Sequence, residues 1–133
     1  MKHLAFTLTI VAMLVMLTGS NSLAQKAGEK VYWMATIEVK LSKLPAYHSV
    51  VEKEQMPAME KYGYKFVGIW QTIVGDIENV IFISEFEDMN AYYTARRAYL
   101  GSDEWKAINA KTESMTTGIH TAFLNAAPYL KMK

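Results

Sequence analysis

The chain predicts a single α+β domain whose elements follow one another as β-α-β-β-α-β. Three observations predict it. Segments rich in β-branched and aromatic residues, at 31–39, 65–74, 79–86 and 119–124, alternate with segments whose apolar residues recur at helical spacing. The second and third of these strand-like segments are separated only by Gly75-Asp76-Ile77-Glu78, short enough for a hairpin, which makes them antiparallel neighbours. The chain, at 133 residues, has room for one core and not for two.

At the N-terminus, Lys2 and His3 make a short basic start. Leu4 to Leu17 (LAFTLTIVAMLVML) then run uncharged and mostly apolar until Thr18, Gly19, Ser20 and Asn21. That is the plan of a signal peptide. A helix that crosses a bilayer takes about 20 apolar residues. This run is shorter, and Ser22-Leu23-Ala24 supplies the small residues that signal peptidase reads. Cleavage after Ala24 is expected, which divides the chain into a leader at 1–24 and a domain at 25–133. The domain is then periplasmic or secreted and has no membrane attachment. There is no cysteine, so lipidation and disulfides are both excluded and stability must come from the core. The 14 basic residues exceed the 13 acidic ones by one, and Lys2 in the leader accounts for the difference. A neutral domain with scattered basic residues is not a nucleic-acid binder.

After a polar lead, Val31 to Val39 (VYWMATIEV) has the composition of a strand. Leu44 to Tyr62 reads as the first helix. Pro45 suits its first turn, Leu44, Tyr47, Val51, Ala58 and Tyr62 share one face, and Gly63 stands where a C-terminal cap belongs. Pro57 lies inside this pattern and is expected to kink or break the helix just before it. Lys65 to Val74 and Asn79 to Phe86 are the hairpin strands. Asp88 caps the second helix, Met89 to Leu100, which stops at Gly101. Ser102 and Asp103 start a further helical piece carrying Trp105 and Ile108. Ile119 to Leu124 closes the order as the last strand. The order is that of a ferredoxin-like domain, with both helices on one face of a four-stranded sheet.

The other face of such a sheet is open. In the first strand, Val31, Trp33, Ala35 and Ile37 alternate with Tyr32, Met34, Thr36 and Glu38, and neither set is purely polar. In the second strand, simple alternation puts Phe66 and Trp70 on one side and Val67, Ile69 and Ile73 on the other. A solvated face would not look like this. Two sheets face to face would bury the surplus, so a homodimer with an isologous contact is expected.

The string KLPAYHSVVEKEQMPAMEKYGYKFVGIWQTIVGDIENVIFISEF resembles the NIPSNAP family of dimeric α/β-barrel proteins. The features that carry the resemblance are Pro57 and Gly63 late in the first helix, Val67-Gly68-Ile69-Trp70, Gly75-Asp76, and Trp105. It extends over about Val31 to Pro128. It implies that the ferredoxin-like domain pairs into a dimeric α/β barrel. It brings no agreed catalytic signature. Tyr92 and Tyr93 stand where arginine and acidic residues are expected early in the second helix.

Candidate ligand-binding residues are His48, Gln55, Trp70, Tyr92, Tyr93, Arg96 and His120. His48 and Gln55 lie on or beside the apolar stripe of the first helix. One register of the second helix centres Arg96 among Met89, Tyr92, Tyr93 and Leu100. Another packs Ala91, Ala95 and Ala98 inward and leaves Arg96 in solvent, and the two registers are evenly matched. Facing helix stripes would bring His48 and Gln55 near Tyr92, Tyr93 and Arg96, where an imidazole base and a guanidinium could promote ionisation of a phenol or enol. Trp70, Trp33 and Phe82 could stack on a flat ligand, although aromatic residues in strands are more often core. His120 could face the helices or the dimer centre. His48 and Glu52, spaced i,i+4, could share a proton or a metal, but such a pair is more often a surface contact. Beyond the leader only these two histidines occur, so no metal site is expected. No nucleotide loop, catalytic triad or zinc helix is present, and no cofactor is expected.

Two classes of function remain. One is a dimeric binding or interaction protein with a small apolar or aromatic ligand. The other, implied by likeness in fold to the antibiotic-biosynthesis monooxygenases, is a cofactor-independent monooxygenase-like or haem-degrading enzyme. Fold alone does not separate them.

Overall fold

The computed structural model describes residues 29–130, so the expected signal peptide lies outside the described residues. Strands β1 (Val31–Val39), β2 (Lys65–Gln71), β3 (Asn79–Phe86) and β4 (Thr116–Leu124) form one antiparallel sheet in the order β2-β3-β1-β4. The hairpin return places β3 between β2 and β1, paired with β1 from Val31↔Phe86 to Glu38↔Asn79. β4 closes the other edge, pairing with β1 from Tyr32↔Leu124. The α+β, ferredoxin-like reading therefore holds, and β1 and β3 have the expected bounds.

A 3-10 turn at Leu41–Lys43 leads into α1 (Leu44–Val50), a π turn at Val51–Gln55 and α2 (Met56–Lys61). Pro57 neither breaks nor ends this run. The backbone stays helical at Gln55 and Met56, and the Met56 N–H reaches five residues back to the Val51 carbonyl. The wider turn carries the chain past a residue that has no N–H to donate. Gly63, at φ 101°, ends the run. The N–H groups of Gly63 and Tyr64 turn back to the carbonyls of Glu60 and Met59, which is Schellman capping.

After β3, the Asp88 carboxylate accepts the Ala91 N–H at 2.8 Å and starts α3 (Met89–Leu100). The Ser102 hydroxyl accepts the Trp105 N–H at 3.1 Å and starts α4 (Asp103–Thr112). α3 follows the first of the two expected registers only in part, since Tyr92, Arg96 and Leu100 share a face while Tyr93 stands outside it. Tyr92, Ala95 and Tyr99 point inward, and Arg96, Arg97 and Ala98 are exposed. The large phenol rings at i and i+7 bury more apolar area than an alanine face would.

The core has two clusters. One gathers Val31, Met59, Tyr64, Phe86, Tyr92 and Tyr99, the other Ala35, Leu44, Tyr47, Val51, Val80 and Phe82, and Trp33 and Phe66 bridge them.

Three strand expectations are corrected. β2 ends at Gln71 instead of Val74, and Ile73 and Val74 stand in solvent in a connection longer than the four residues expected. β4 begins at Thr116 because its polar first turn pairs with Val39 after a register shift. The third correction concerns Trp70. A bulge between Phe66 and Gly68 inserts Val67 as an extra residue, so alternation changes phase. Phe66 packs toward the core and Trp70 lands on the opposite, helix-free face.

That face carries the cross-strand row Trp70, Ile81, Thr36, His120, and beside it Gly68, Ile83, Met34, Ala122.

Candidate functional site

Between the helices and the sheet lies a cavity of about 320 Å³. β1 contributes Trp33, Ala35 and Ile37 through its two-residue period, β3 contributes Phe82, and β4 contributes Ile119 and Thr121. From α3 come Tyr92, Arg96, Tyr99 and Leu100, which share a face at helical spacing. The π turn and α2 present Gln55 and Met59, Tyr64 follows the Gly63 cap, and α4 supplies Trp105. A second, more polar space of about 350 Å³ adjoins the first. Ile37, Gln55, Trp105 and Ile119 line both, and Tyr47, Asn109, Thr112 and Thr116 border only the second.

The walls are aromatic. Trp33 meets Tyr64 edge-on at 5.5 Å between ring centroids and Tyr92 at 6.3 Å, and Tyr99 lies 5.6 Å from Trp105. Two buried polar atoms among these rings, Trp33 Nε1 and the Tyr99 hydroxyl, have no hydrogen-bond partner among the described residues. Burial pushes the Tyr99 phenol up to about 12. It also raises Tyr64, helped by Tyr92 and opposed by the Arg96 guanidinium, and it raises Tyr92 against that same guanidinium. These phenols are therefore protonated at neutral pH and available as donors. Among the described residues Arg96 is the one charged residue in the lining of the first cavity; it forms no salt bridge there and hydrogen-bonds the Tyr92 phenol.

Of the residues singled out from sequence, Gln55, Tyr92 and Arg96 come together here, with Trp33 and Phe82 beside them. Tyr93 packs on Tyr92 at 5.4 Å but is exposed. His48 lies elsewhere. Its Nε2 donates to Gln71 Oε1 at 2.9 Å, and Gln71 in turn donates to the Ile77 carbonyl at 3.4 Å, tying α1 to the β2–β3 connection. The partner of His48 is thus Gln71 and not Glu52. Trp70 and His120 occupy the helix-free face, where His120 Nε2 stands 3.2 Å from Glu38 Oε1. The structure does not bring His48 and Arg96 together, so the expected pairing of an imidazole base with the guanidinium is not formed.

Sequence reasoning missed Tyr64, Tyr99 and Trp105 as lining residues. The spacing Tyr92-Ala95-Tyr99 was a usable signal for the second, and an apolar residue directly after a helix-capping glycine was one for the first.

Solved structures with this fold include a NIPSNAP family protein of unknown function from Agrobacterium tumefaciens. It is 19% identical with a TM-score of 0.74, over 80% of this chain and 96% of that one. An uncharacterised NIPSNAP domain protein from Burkholderia xenovorans is 18% identical with a TM-score of 0.72, over 77% and 99%. A putative antibiotic biosynthesis monooxygenase from Caulobacter crescentus is more distant, 14% identical with a TM-score of 0.59, over 76% and 92%. No curated protein matches the chain. The family model described as NIPSNAP matches residues 32–131, nearly the whole of the described structure, and the chain belongs to the NIPSNAP family.

Proposed function

We propose that this NIPSNAP domain is an exported homodimer that binds a small, flat, mostly apolar ligand in the cavity between its helices and its sheet. The supporting observation is an aromatic-walled space whose lining carries the polar side chains of Gln55, Arg96 and Thr121. A mostly apolar cavity with a few convergent polar groups is the usual form of a small-molecule site. The leader-like residues 1–24 support export. The apolar row of Trp70, Ile81, Ile83 and Met34 on the helix-free face supports the dimer. Binding is favoured over an oxygenase-like reaction because His48, the base that such a reading assigned, lies outside the cavity and bonds Gln71.

The test is purification of the mature protein from its native compartment, followed by native mass spectrometry and an absorption spectrum. A co-purifying small molecule, lost on denaturation, is the expected result. A ligand-free protein whose Trp33 and Trp105 fluorescence is untouched by naphthalene-type probes would reject the reading.

A further inference from the structure

The cavity's polar groups are unbalanced in charge. Gln55, Thr121 and the phenol hydroxyls are neutral and can donate or accept, whereas the Arg96 guanidinium carries a fixed positive charge and only donates. Among the described residues no aspartate or glutamate lines the first cavity. Arg96 stands at its edge without an acidic partner among the described residues, and its field is felt at both Tyr64 and Tyr92. A ligand bearing one negative charge would match this single cation. The rest of the wall is aromatic and aliphatic, and at about 320 Å³ the space is at the small end for a ligand site, suited to one or two fused rings.

We propose that the ligand is an aromatic monoanion, an aryl carboxylate, whose ring system lies among Trp33, Tyr64, Phe82 and Trp105 and whose carboxylate is held by Arg96. A guanidinium fits a carboxylate in a planar, two-bond geometry that a lysine would not supply. An ammonium-bearing ligand of the same shape would meet the Arg96 charge and be repelled by it. This assignment rests on the proposal that the cavity binds a flat ligand, and the two can fail separately.

The experiment is calorimetric titration of the full mature protein with three probes of one shape: 2-naphthoate, methyl 2-naphthoate and 2-naphthylmethylammonium. Naphthoate is expected to bind about tenfold or more tightly than the ester, as suits one charge-assisted contact, and the ammonium weakest of all. Arg96→Gln, which removes the cation, should bring naphthoate down to the level of the ester. Equal binding of the three probes, or a naphthoate preference that survives Arg96→Gln, would overturn the anion assignment and leave the flat-ligand reading standing. Absence of binding by every probe would overturn both.

Discussion

The indole of Trp70 lies across Gly68 on the helix-free face of the sheet, so close that a Cβ on residue 68 would stand 2.4 Å from Cη2 and 2.5 Å from Cζ2 of the ring. The two residues share that face only because the bulge at Val67 shifts the alternation of β2. The glycine thereby leaves the ring flat on the sheet, where it extends the apolar row of Ile81, Ile83 and Met34. If this face joins two copies, Trp70→Glu should place a charge in the contact and give a monomer by light scattering at micromolar concentration, where the parent gives about twice the monomer mass. Gly68→Ala should lift the indole and weaken the dimer less. A variant that keeps the dimeric mass would remove Trp70 from the interface, and a folded monomeric parent would remove the interface.

Tyr99 tests what a buried, unpartnered hydroxyl costs the fold. Its hydroxyl is buried with no partner among the described residues, and an unsatisfied group of that kind costs about 1–3 kcal/mol. Tyr99→Phe keeps the ring that packs on Tyr62, Tyr64 and Trp105 and deletes the hydroxyl. The ligand-free variant should melt higher, by about 4–8 °C for each 1 kcal/mol in a domain of this size. A fall of similar size in differential scanning calorimetry would mean that the hydroxyl has a partner in solution, such as an ordered water.

Features fixed by neighbouring residues were legible in the sequence, and features fixed by distant ones were not. The bounds of β1 and β3, the caps at Asp88 and Ser102 and the stop at Gly63 each follow from side-chain chemistry within a few residues. The bulge at Val67 depends on how β2 meets β3, so strict alternation put Trp70 on the same side as Phe66, from which the structure separates it. The register of α3 is settled by whether phenol rings or alanines fill the space above β1, a tertiary choice that the helix pattern leaves open. For the same reason Gln55, Tyr92 and Arg96 were found as candidates, while His48 was assigned to a pocket that it does not line. Its turn of helix lies over Gln71, beyond the cavity.

The local features can be tested against the surface ones. Asp88→Ala removes the acceptor for the Ala91 N–H and should cost about 1 kcal/mol in urea unfolding, with an unchanged m-value. Asp88→Asn should recover most of that loss. His48→Ala breaks only a solvent-exposed bond to Gln71, so it is expected within about 0.5 kcal/mol of the parent. A loss at His48 equal to that at Asp88 would show that the link to the β2–β3 connection matters more to the fold than the helix cap.

Glu104 should make part of the stability depend on acid pH. The Lys61 ammonium donates to its carboxylate, the N–H of Glu104 itself adds to this in the first turn of α4, and the Tyr62 hydroxyl donates to the second oxygen at 3.1 Å. Together they hold the carboxyl down to about 2 from its ordinary 4.5. The folded state therefore prefers the ionised form more strongly than the unfolded chain does. That preference stabilises the protein fully above pH 4.5 and is lost progressively as the pH falls toward 2. Glu104→Gln should accordingly melt lower than the parent by a constant margin between pH 8 and about 5.5. The margin should narrow below pH 4.5 and vanish near pH 2. Because both side chains of the Lys61–Glu104 pair are substantially exposed, the margin should also shrink in 1 M salt. Lys61→Met should flatten much of the same acid dependence by removing the largest of the three influences. A margin between parent and Glu104→Gln that stays level from pH 8 to pH 2 would mean that the carboxylate is not held in this way in solution, and that α2 and α4 are joined by their apolar contacts alone.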